Sequence, residues 1–214
     1  MIKDNLEKIK SRIDSVDHSQ QVTLIAVSKT RSVLEIQSAV DAGQYNFGEN
    51  YLQEALDKIE ALKNNTLIWH FIGPIQSNKT AKIAENFDWV HSVDRIKVAK
   101  RLNEQRPPDF SKLNILIQVN IDNEPTKSGI LLNEVTEFVR QCDDFENIRL
   151  RGFMCIPNPQ NSSNSFSLMA KILSEFSSLD ALSMGMSGDM EIAIKNGATL
   201  VRIGTDIFGK RSYV

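Results

Sequence analysis

Residues 22–43, VTLIAVSKTRSVLEIQSAVDAG, contain one complete strand-to-helix unit. The run from 22 to 29 is almost continuously apolar and rich in β-branched side chains, as in a parallel strand that is covered on both faces. Ser32 and Glu35 have the spacing of a capping box, which predicts that a helix begins there. Gly43 follows the last apolar position, where a glycine commonly ends a helix. This segment therefore predicts a β-strand followed by an α-helix.

The same unit recurs along the whole chain after a leading helix near residues 3–16. Further strands are predicted at 45–48, 67–73, 89–93, 113–121, 148–156, 181–186 and 200–203, each followed by a helix or helical turn. Alternating β and α elements imply a parallel sheet. Eight units without a linker favour an α/β fold, a single (β/α)8 TIM barrel with an extra N-terminal helix.

An open, doubly wound sheet is the alternative fold. No G-x-G-x-x-G motif follows the first strand, which argues against that alternative. We expect one domain over residues 1–214. The Ser/Asn-rich segment 158–167 is predicted to be a loop, with the next helix at about 167–178.

Composition excludes several classes of protein. The 214 residues are 41% hydrophobic and 24% charged, which is typical of a globular protein rather than a disordered or collagen-like one. The net charge of -2 lacks the basic excess of a non-specific nucleic-acid binder. The apolar runs have strand length, the N-terminus does not read as a signal peptide, and two cysteines are too few for a disulfide framework. We expect a cytoplasmic monomer with no nucleic-acid or membrane partner.

Lys29 is the first candidate site residue, because it ends the first strand. In a barrel, functional sites lie where the carboxyl ends of the strands meet. An amine at the rim of an apolar pocket is partly desolvated, which disfavours its charged form, and a neutral amine attacks carbonyl groups. A lysine that only leaves the strand for solvent is the alternative.

The last two strand ends carry a second signal. Ser187 follows the seventh strand as a candidate helix N-cap, and Gly204 and Thr205 follow the eighth. Free backbone N–H groups and small residues at such turns can bind phosphate, although ordinary tight turns would have the same spacing. Arg202 lies within the last strand and needs a hydrogen-bond acceptor there, which could be a ligand anion, a ring nitrogen or a protein carboxylate.

Two other patterns do not support a site. The segment 73–80 is close to a P-loop, but Asn78 replaces its second glycine and Pro74 removes a backbone donor, so nucleoside triphosphate binding is not expected. His70 and His91 lack the spacing of metal ligands, so no metal site is expected, and each is predicted to be a hydrogen-bonded core histidine or a pocket-wall histidine.

Several motifs in order resemble one family, the YggS/PROSC family of pyridoxal phosphate homeostasis proteins. They are AVSKT at 26–30, NFGEN at 46–50, WHFIG at 69–73, QSNK at 76–79, HSVDR at 91–95, KSG at 127–129, LSMGMS at 182–187, VRIGT at 201–205 and FG at 208–209. The resemblance covers residues 5 to 212. It implies a single (β/α)8 barrel similar to the N-terminal domain of alanine racemase.

The resemblance also implies a cofactor and its contacts. Lys29 matches the lysine that holds pyridoxal 5′-phosphate (PLP) as a Schiff base, and Arg202 matches the arginine that faces the pyridine nitrogen. The phosphate-binding positions of the family match Ser187, Gly204 and Thr205, and residues around the cofactor match Asn50, His70 and Met186. Lys127 lies in another motif of the family, KSG at 127–129, but its residue type and position predict no role for it. Asp206 stands where many members have alanine, and its carboxylate could weaken anion binding.

These residues suggest a carrier rather than an enzyme. PLP is the best electron sink when its pyridine nitrogen is protonated, and a cationic Arg202 opposes that protonation. We therefore assign no catalytic residue and expect a protein that buffers PLP or delivers it to apoenzymes or amino acids. The alternative is a PLP-dependent racemase or lyase of narrow scope, with Tyr45, Tyr51 or His70 as the second acid/base. A class I aldolase that uses Lys29 without PLP is a third hypothesis.

Overall fold

The chain forms a closed barrel of parallel strands in a computed structural model that describes residues 1–63 and 66–210. The strands are β1 Thr23–Val27, β2 Asn46–Glu49, β3 Ile68–Phe71, β4 Trp89–Val93, β5 Leu113–Gln118, β6 Ile148–Met154, β7 Ala181–Ser183 and β8 Leu200–Ile203. Each strand pairs with the next in the chain, and β1 pairs with β8 to close the barrel. The predicted TIM barrel is confirmed.

The helices surround the barrel. They are α1 Ile2–Asp14, α2 Val33–Asp41, α3 Leu52–Ala61, α4 Thr80–Asn86, α5 Ile96–Gln105, α6 Val135–Cys142, α7 Ser162–Ser174, α8 Met190–Lys195 and α9 Thr205–Phe208. Short 3₁₀ turns lie at Ser77–Lys79, Leu132–Glu134 and Pro159–Asn161. The predicted leading helix is α1, which buries Leu6, Ile9 and Ile13 and packs against α2, α8 and α9. None of the described helices combines the length and the apolar character needed to cross a membrane.

The core has two parts. Most buried apolar side chains lie in one cluster, which includes the outward-facing residues of the strands and the inner faces of the helices. A smaller cluster of Ile25, Leu116, Met154, Ala181 and Leu200 fills part of the barrel interior. The interior also contains buried polar side chains, which are described with the site below. This mixed interior places functional groups on rigid strands.

The segment 158–167 does not form the predicted loop. A 3₁₀ turn begins at Pro159, and α7 begins at Ser162. The polar side chains that favoured a loop are instead hydrogen-bonded: Ser165 Oγ donates to Asp122 Oδ1 over 2.6 Å, and the Asn158 side chain accepts from the backbone of its own turn. Tertiary contacts with Asp122 thus override the weak local helix propensity.

Several strands also end earlier than predicted. The predicted strand 113–121 stops at Gln118, and the predicted strand 181–186 stops at Ser183. Beyond the first of these ends, Val119 forms an isolated bridge with Ile130, and beyond the second, Met186 is exposed and lines the cavity described below. The strand ends therefore surround an open mouth at the carboxyl end of the barrel.

Candidate functional site

A cavity of about 330 Å³ opens at the carboxyl ends of the strands, a volume that suits a small-molecule ligand. It brings together every predicted site residue except His70. These residues are Lys29, Asn50, Met186, Ser187, Arg202, Gly204 and Thr205. They come from β1, β2, β7 and β8 and the turns that follow, so the carboxyl-end rule for barrels places them correctly relative to one another.

Lys29 lies in the turn after β1. The N–H of Arg31 donates to the carbonyl of Ser28 over 3.0 Å, which closes a β-turn with Lys29 and Thr30 at its centre. The Lys29 side chain is half-buried and lines the cavity. The turn thus presents an amine at the wall of a partly apolar pocket.

Arg202 is buried within β8, only 5% exposed, and also lines the cavity. Its Nη1 donates to Ser183 Oγ over 2.6 Å, and its Nη2 donates to the Cys155 carbonyl over 3.0 Å. Burial lowers the pKa of Arg202, although a guanidinium keeps its proton in proteins. Among the described residues no carboxylate forms an ion pair with it, so neutral oxygen atoms hold this cation at the cavity floor.

Beneath Arg202, a line of hydrogen bonds crosses the barrel interior. Ser183 Oγ lies 2.8 Å from His91 Nδ1, His91 Nε2 lies 2.9 Å from His70 Nδ1, and His70 Nε2 lies 3.0 Å from Asn46 Oδ1. Burial lowers the pKa of His70 to about 3. Burial, and then the proximity of His70 and Arg202, hold the pKa of His91 far below its usual range. Both imidazoles are therefore neutral near pH 7.

Neutral imidazoles fix the direction of these hydrogen bonds, because each ring has one donor and one acceptor. Asn46 presents an oxygen, so each histidine donates through Nε2 and accepts through Nδ1. Ser183 then donates to His91 and accepts from Arg202, as it must, since a guanidinium has only donors. We call Ser183, His91, His70 and Asn46 the interior chain.

His70 therefore lies below the cavity rather than at its wall. It is 1% exposed, and both ring nitrogens are used within the interior chain. Its sequence context predicted a hydrogen-bonded core or pocket-wall histidine, and the structure has the core form; its place around the cofactor, which the resemblance implies, stays a prediction. The motif alone could not distinguish a core position from one at the cavity wall, because the depth of an inward-facing residue depends on how far its strand extends toward the cavity.

The turns after β7 and β8 add small and hydroxyl-bearing residues to the cavity lining, namely Ser187, Gly188, Gly204 and Thr205. The prediction that Ser187 caps the next helix is wrong: α8 begins at Met190, and Asp189 is its N-cap residue. The Asp189 carboxylate instead accepts the Met186 N–H over 2.7 Å and so closes the turn around Ser187. The Ser187 hydroxyl is left at the cavity wall.

Asp206 does not line the cavity. Its carboxylate lies 3.1 Å from Arg12 Nη1, and the same guanidinium binds Glu191 at 2.7 Å and the Ser187 carbonyl at 3.5 Å. Arg12 thus offsets the extra negative charge and ties α1 to both turns. The expectation that Asp206 disturbs an anion site gains no support from this geometry.

Asn50 has an unsatisfied hydrogen-bond acceptor at the cavity. Its Oδ1 atom is buried and has no hydrogen-bond partner in the described structure. The close packing at this point depends on Gly73, because a Cβ there would lie 2.1 Å from the Asn50 carbonyl oxygen. A buried acceptor without a donor is costly. A ligand with a donor group would relieve this cost.

The sequence analysis missed several residues that line the cavity, namely Val27, Arg31, Ile72, Ile156 and Gly188. Arg31 is the most informative of them. It donates to the carbonyls of Phe208 and Gly209 and so links the Lys29 turn to the end of α9. Its position in AVSKTR, two residues after the candidate lysine, could have indicated that it lies near the site.

Lys127 lines a neighbouring cavity of about 250 Å³ rather than the first one. The two cavities share Asn50, Ile72 and Ile156 as a common wall. The ammonium group of Lys127 lies 2.7 Å from Glu124 Oε1, so a local ion pair holds it.

Comparison with known proteins places this geometry in a family. The family model "Alanine racemase, N-terminal domain" matches residues 1–212. The chain is 45% identical to the pyridoxal phosphate homeostasis protein of Escherichia coli (strain K12), covering 98% of this chain and 96% of that protein. The corresponding protein of Pseudomonas aeruginosa is 46% identical, with 99% and 96% covered.

A solved structure has the same architecture. PipY of Synechococcus elongatus PCC7942, solved with PLP bound, superposes with a TM-score of 0.86 at 33% identity and covers 98% of this chain and 100% of its own. By sequence and by fold, this chain belongs to the family of pyridoxal phosphate homeostasis proteins, built on the alanine racemase N-terminal domain.

Proposed function

We propose that this protein binds PLP through a Schiff base on Lys29 and serves intracellular PLP homeostasis by buffering or delivering the cofactor. The observation that carries the proposal is that one cavity is lined by an amine, Lys29, a buried cation, Arg202, and two hydroxyl-bearing residues, Ser187 and Thr205. We further propose that residues 1–214 act as one cytoplasmic, monomeric PLP-binding domain. Residues 211–214 of that predicted domain lie outside the described residues.

The residues present fit PLP. Hydroxyl groups and small turn residues suit a phosphate, and Gly204 adds no side chain to the cavity wall. The unpartnered Asn50 Oδ1 suits a ligand with a hydroxyl donor. Ile72 and Ile156 supply apolar wall for an aromatic ring.

Each residue then has a distinct task. When bound, PLP supplies an aldehyde that condenses reversibly with amines. Lys29 provides the amine from a turn held by the first strand. Arg202 keeps a positive charge at the cavity floor, which disfavours a proton on a nearby ring nitrogen. Ser187 and Thr205 would donate hydrogen bonds from their hydroxyl groups to the phosphate of the bound cofactor. This arrangement favours reversible retention of the cofactor.

The racemase or lyase alternative needs a second acid/base near the substrate carbon. Tyr45 lies at the amino end of the barrel, beside a different cavity, and Tyr51 is 56% exposed ahead of α3. His70 is fully engaged in the interior chain. The three candidates named for this role do not line the described cavity, which supports the carrier proposal.

The direct test is the visible absorption spectrum of the protein mixed with PLP, before and after borohydride reduction. We expect a Schiff-base band, and a reduced adduct on the peptide that contains Lys29. Lys29→Ala and Lys29→Arg should both abolish the band, the second while keeping the positive charge. An adduct on Lys127 instead, or a band that survives in both variants, would overturn the assignment.

A second measurement separates carrier from enzyme. Amino acids incubated with the PLP-loaded protein in deuterated water should keep their α-protons. Exchange at roughly 1 per second or faster, a typical enzymatic rate, would instead favour the racemase or lyase. Transfer of PLP to an apoenzyme, followed by recovery of that enzyme's activity, tests delivery.

A further inference from the structure

The turn that carries Lys29 has a strained backbone. Thr30 has φ 62°, in the left-handed region, although it is neither glycine nor asparagine. A β-branched residue in this region is an outlier that persists only when its surroundings hold it there. The signs of φ at Lys29 and Thr30 match a type II turn, whose third position normally favours glycine. Something must therefore hold this turn in place.

A cluster of charged side chains lies directly against the turn. It consists of Glu49 at the end of β2 and Glu54 and Lys58 on α3, and we call it the turn clamp. The Lys58 ammonium group lies 2.7 Å from Glu49 Oε1 and 2.5 Å from Glu54 Oε1. The side chains of Lys58 and Glu49 are only 5% and 0% exposed.

Each member of the turn clamp binds a different atom of the turn. Lys58 Nζ donates to the Ser28 carbonyl over 2.7 Å, and Ser28 Oγ donates to Glu49 Oε1 over 2.6 Å. Glu54 Oε1 accepts the Thr30 N–H over 2.5 Å. The residues on both sides of Lys29 are thus fixed, while Lys29 itself faces the cavity.

Such a cluster is expensive to bury. Burial raises the pKa of Glu49 although Lys58 lies beside it, and Glu49 Oε2 has no hydrogen-bond partner in the described structure. Buried ion pairs are weak evidence for stability, since apolar residues of similar size often stabilise as well or better. The hydrogen bonds that this buried pair makes to the turn explain its presence better than a gain in stability does.

We propose that Glu49, Glu54 and Lys58 are positioning residues that hold the Ser28–Arg31 turn in its left-handed form, so that Lys29 faces the cavity before any ligand arrives. The proposal rests on the proposed function of Lys29. Glu54 is the member of the turn clamp best suited to mutation, because it accepts the Thr30 N–H directly and is the least buried of the three. Glycine adopts a positive φ without strain. The need for Glu54 should therefore disappear when position 30 is a glycine.

The test compares Glu54→Ala, Thr30→Gly and the double variant with the wild type. In the PLP-free protein, hydrogen exchange of the amide at position 30 should become at least about tenfold faster in Glu54→Ala. PLP affinity should fall about tenfold, and Thr30→Gly in the same chain should restore it to within about threefold of the wild type. Glu60→Ala, an exposed carboxylate on the same helix, should change neither quantity.

The proposal fails if Glu54→Ala keeps wild-type exchange and affinity, or if Thr30→Gly does not restore the loss. Should Glu54→Ala not fold, Glu49→Gln/Lys58→Met carries the same prediction, because it removes both buried charges together. If the wild type itself forms no borohydride-reducible adduct on Lys29, the proposed function fails instead. Faster exchange at position 30 in Glu54→Ala would then still support the clamp.

Discussion

The interior chain should make the protein labile to mild acid. His70 and His91 are buried and neutral, and burial places the pKa of His70 at about 3 and that of His91 far below its usual range. In the unfolded chain both would titrate near the ordinary value of about 6.5. As the pH falls below that value, the unfolded state binds protons that the folded state does not, so the free energy of unfolding decreases.

The size of the effect follows from linkage. Well below its unfolded-state pKa, each histidine contributes a slope of about 1.4 kcal/mol per pH unit. Because an unfolded histidine is already half protonated at about pH 6.5, the pair removes about 3 kcal/mol between about pH 6.5 and 5. Glu49 and Asp88 act in the opposite direction, because burial raises the pKa of both carboxyls and lets the folded state take up a proton first. A loss of this size is a large part of the stability of an ordinary domain.

Urea unfolding followed by circular dichroism, at steps of about half a unit from about pH 7.5 to about 5, measures how the free energy of unfolding changes with pH. We expect constant stability above about pH 7 and a steep decline below about 6.5. His91→Gln removes one titrating ring and should reduce the slope by about half, whatever its effect at neutral pH. Stability that stays level or rises from pH 6.5 to 5 would refute the neutral, buried state of the chain.

Three further predictions concern other parts of the molecule. Arg12→Ala leaves Asp206 unpaired, so the affinity for PLP measured by fluorescence titration should fall by about threefold to tenfold. The affinity for pyridoxal, which lacks the phosphate, should change little. Asp206→Ala in the same chain should restore the affinity for PLP. Gly73→Ala forces a Cβ against backbone and should lower the free energy of unfolding by on the order of 3 kcal/mol in urea, whereas Gly188→Ala, in open space, should change it by less than about 0.5. Burial raises the pKa of the Cys155 thiol to about 12, so iodoacetamide at neutral pH should label it only after unfolding, as mass spectrometry would show.

The barrel could be predicted because its signals are local and repeated. An apolar run such as 22–29 shows a strand without reference to any partner, and eight alternating units leave few topologies. The carboxyl-end rule then placed Lys29 and Arg202 at one mouth, where the structure has both. The start of α7 could not be predicted in the same way, because it lies within a Ser/Asn-rich segment whose Ser165 side chain binds the distant Asp122.

The supports of the site could not be predicted, since they depend on contacts between distant residues. Lys58 reads as an ordinary helical lysine, yet it is buried because α3 packs over the turn after β1. The sequence left His70 open between a core residue and a pocket-wall residue, and only the contacts of its ring with His91 and Asn46 place it in the core. Sequence spacing reports which face of a strand a residue occupies, but not its depth along the barrel axis.

The two networks around the site support two different residues of one cavity, Lys29 after β1 and Arg202 on the neighbouring strand β8. The turn clamp fixes the backbone on both sides of Lys29, and the interior chain supplies Arg202 with an oriented hydroxyl from Ser183. Because both histidines of that chain are neutral, it adds dipoles but no charge, and Arg202 remains the cation nearest the cavity floor. A carboxylate in place of Ser183 would neutralise that cation and favour a proton on a ligand's ring nitrogen. The hydroxyl of Ser183 leaves this cation without a counter-charge within the part of the chain that the structure describes, which supports the proposal of a site that retains PLP and releases it unchanged.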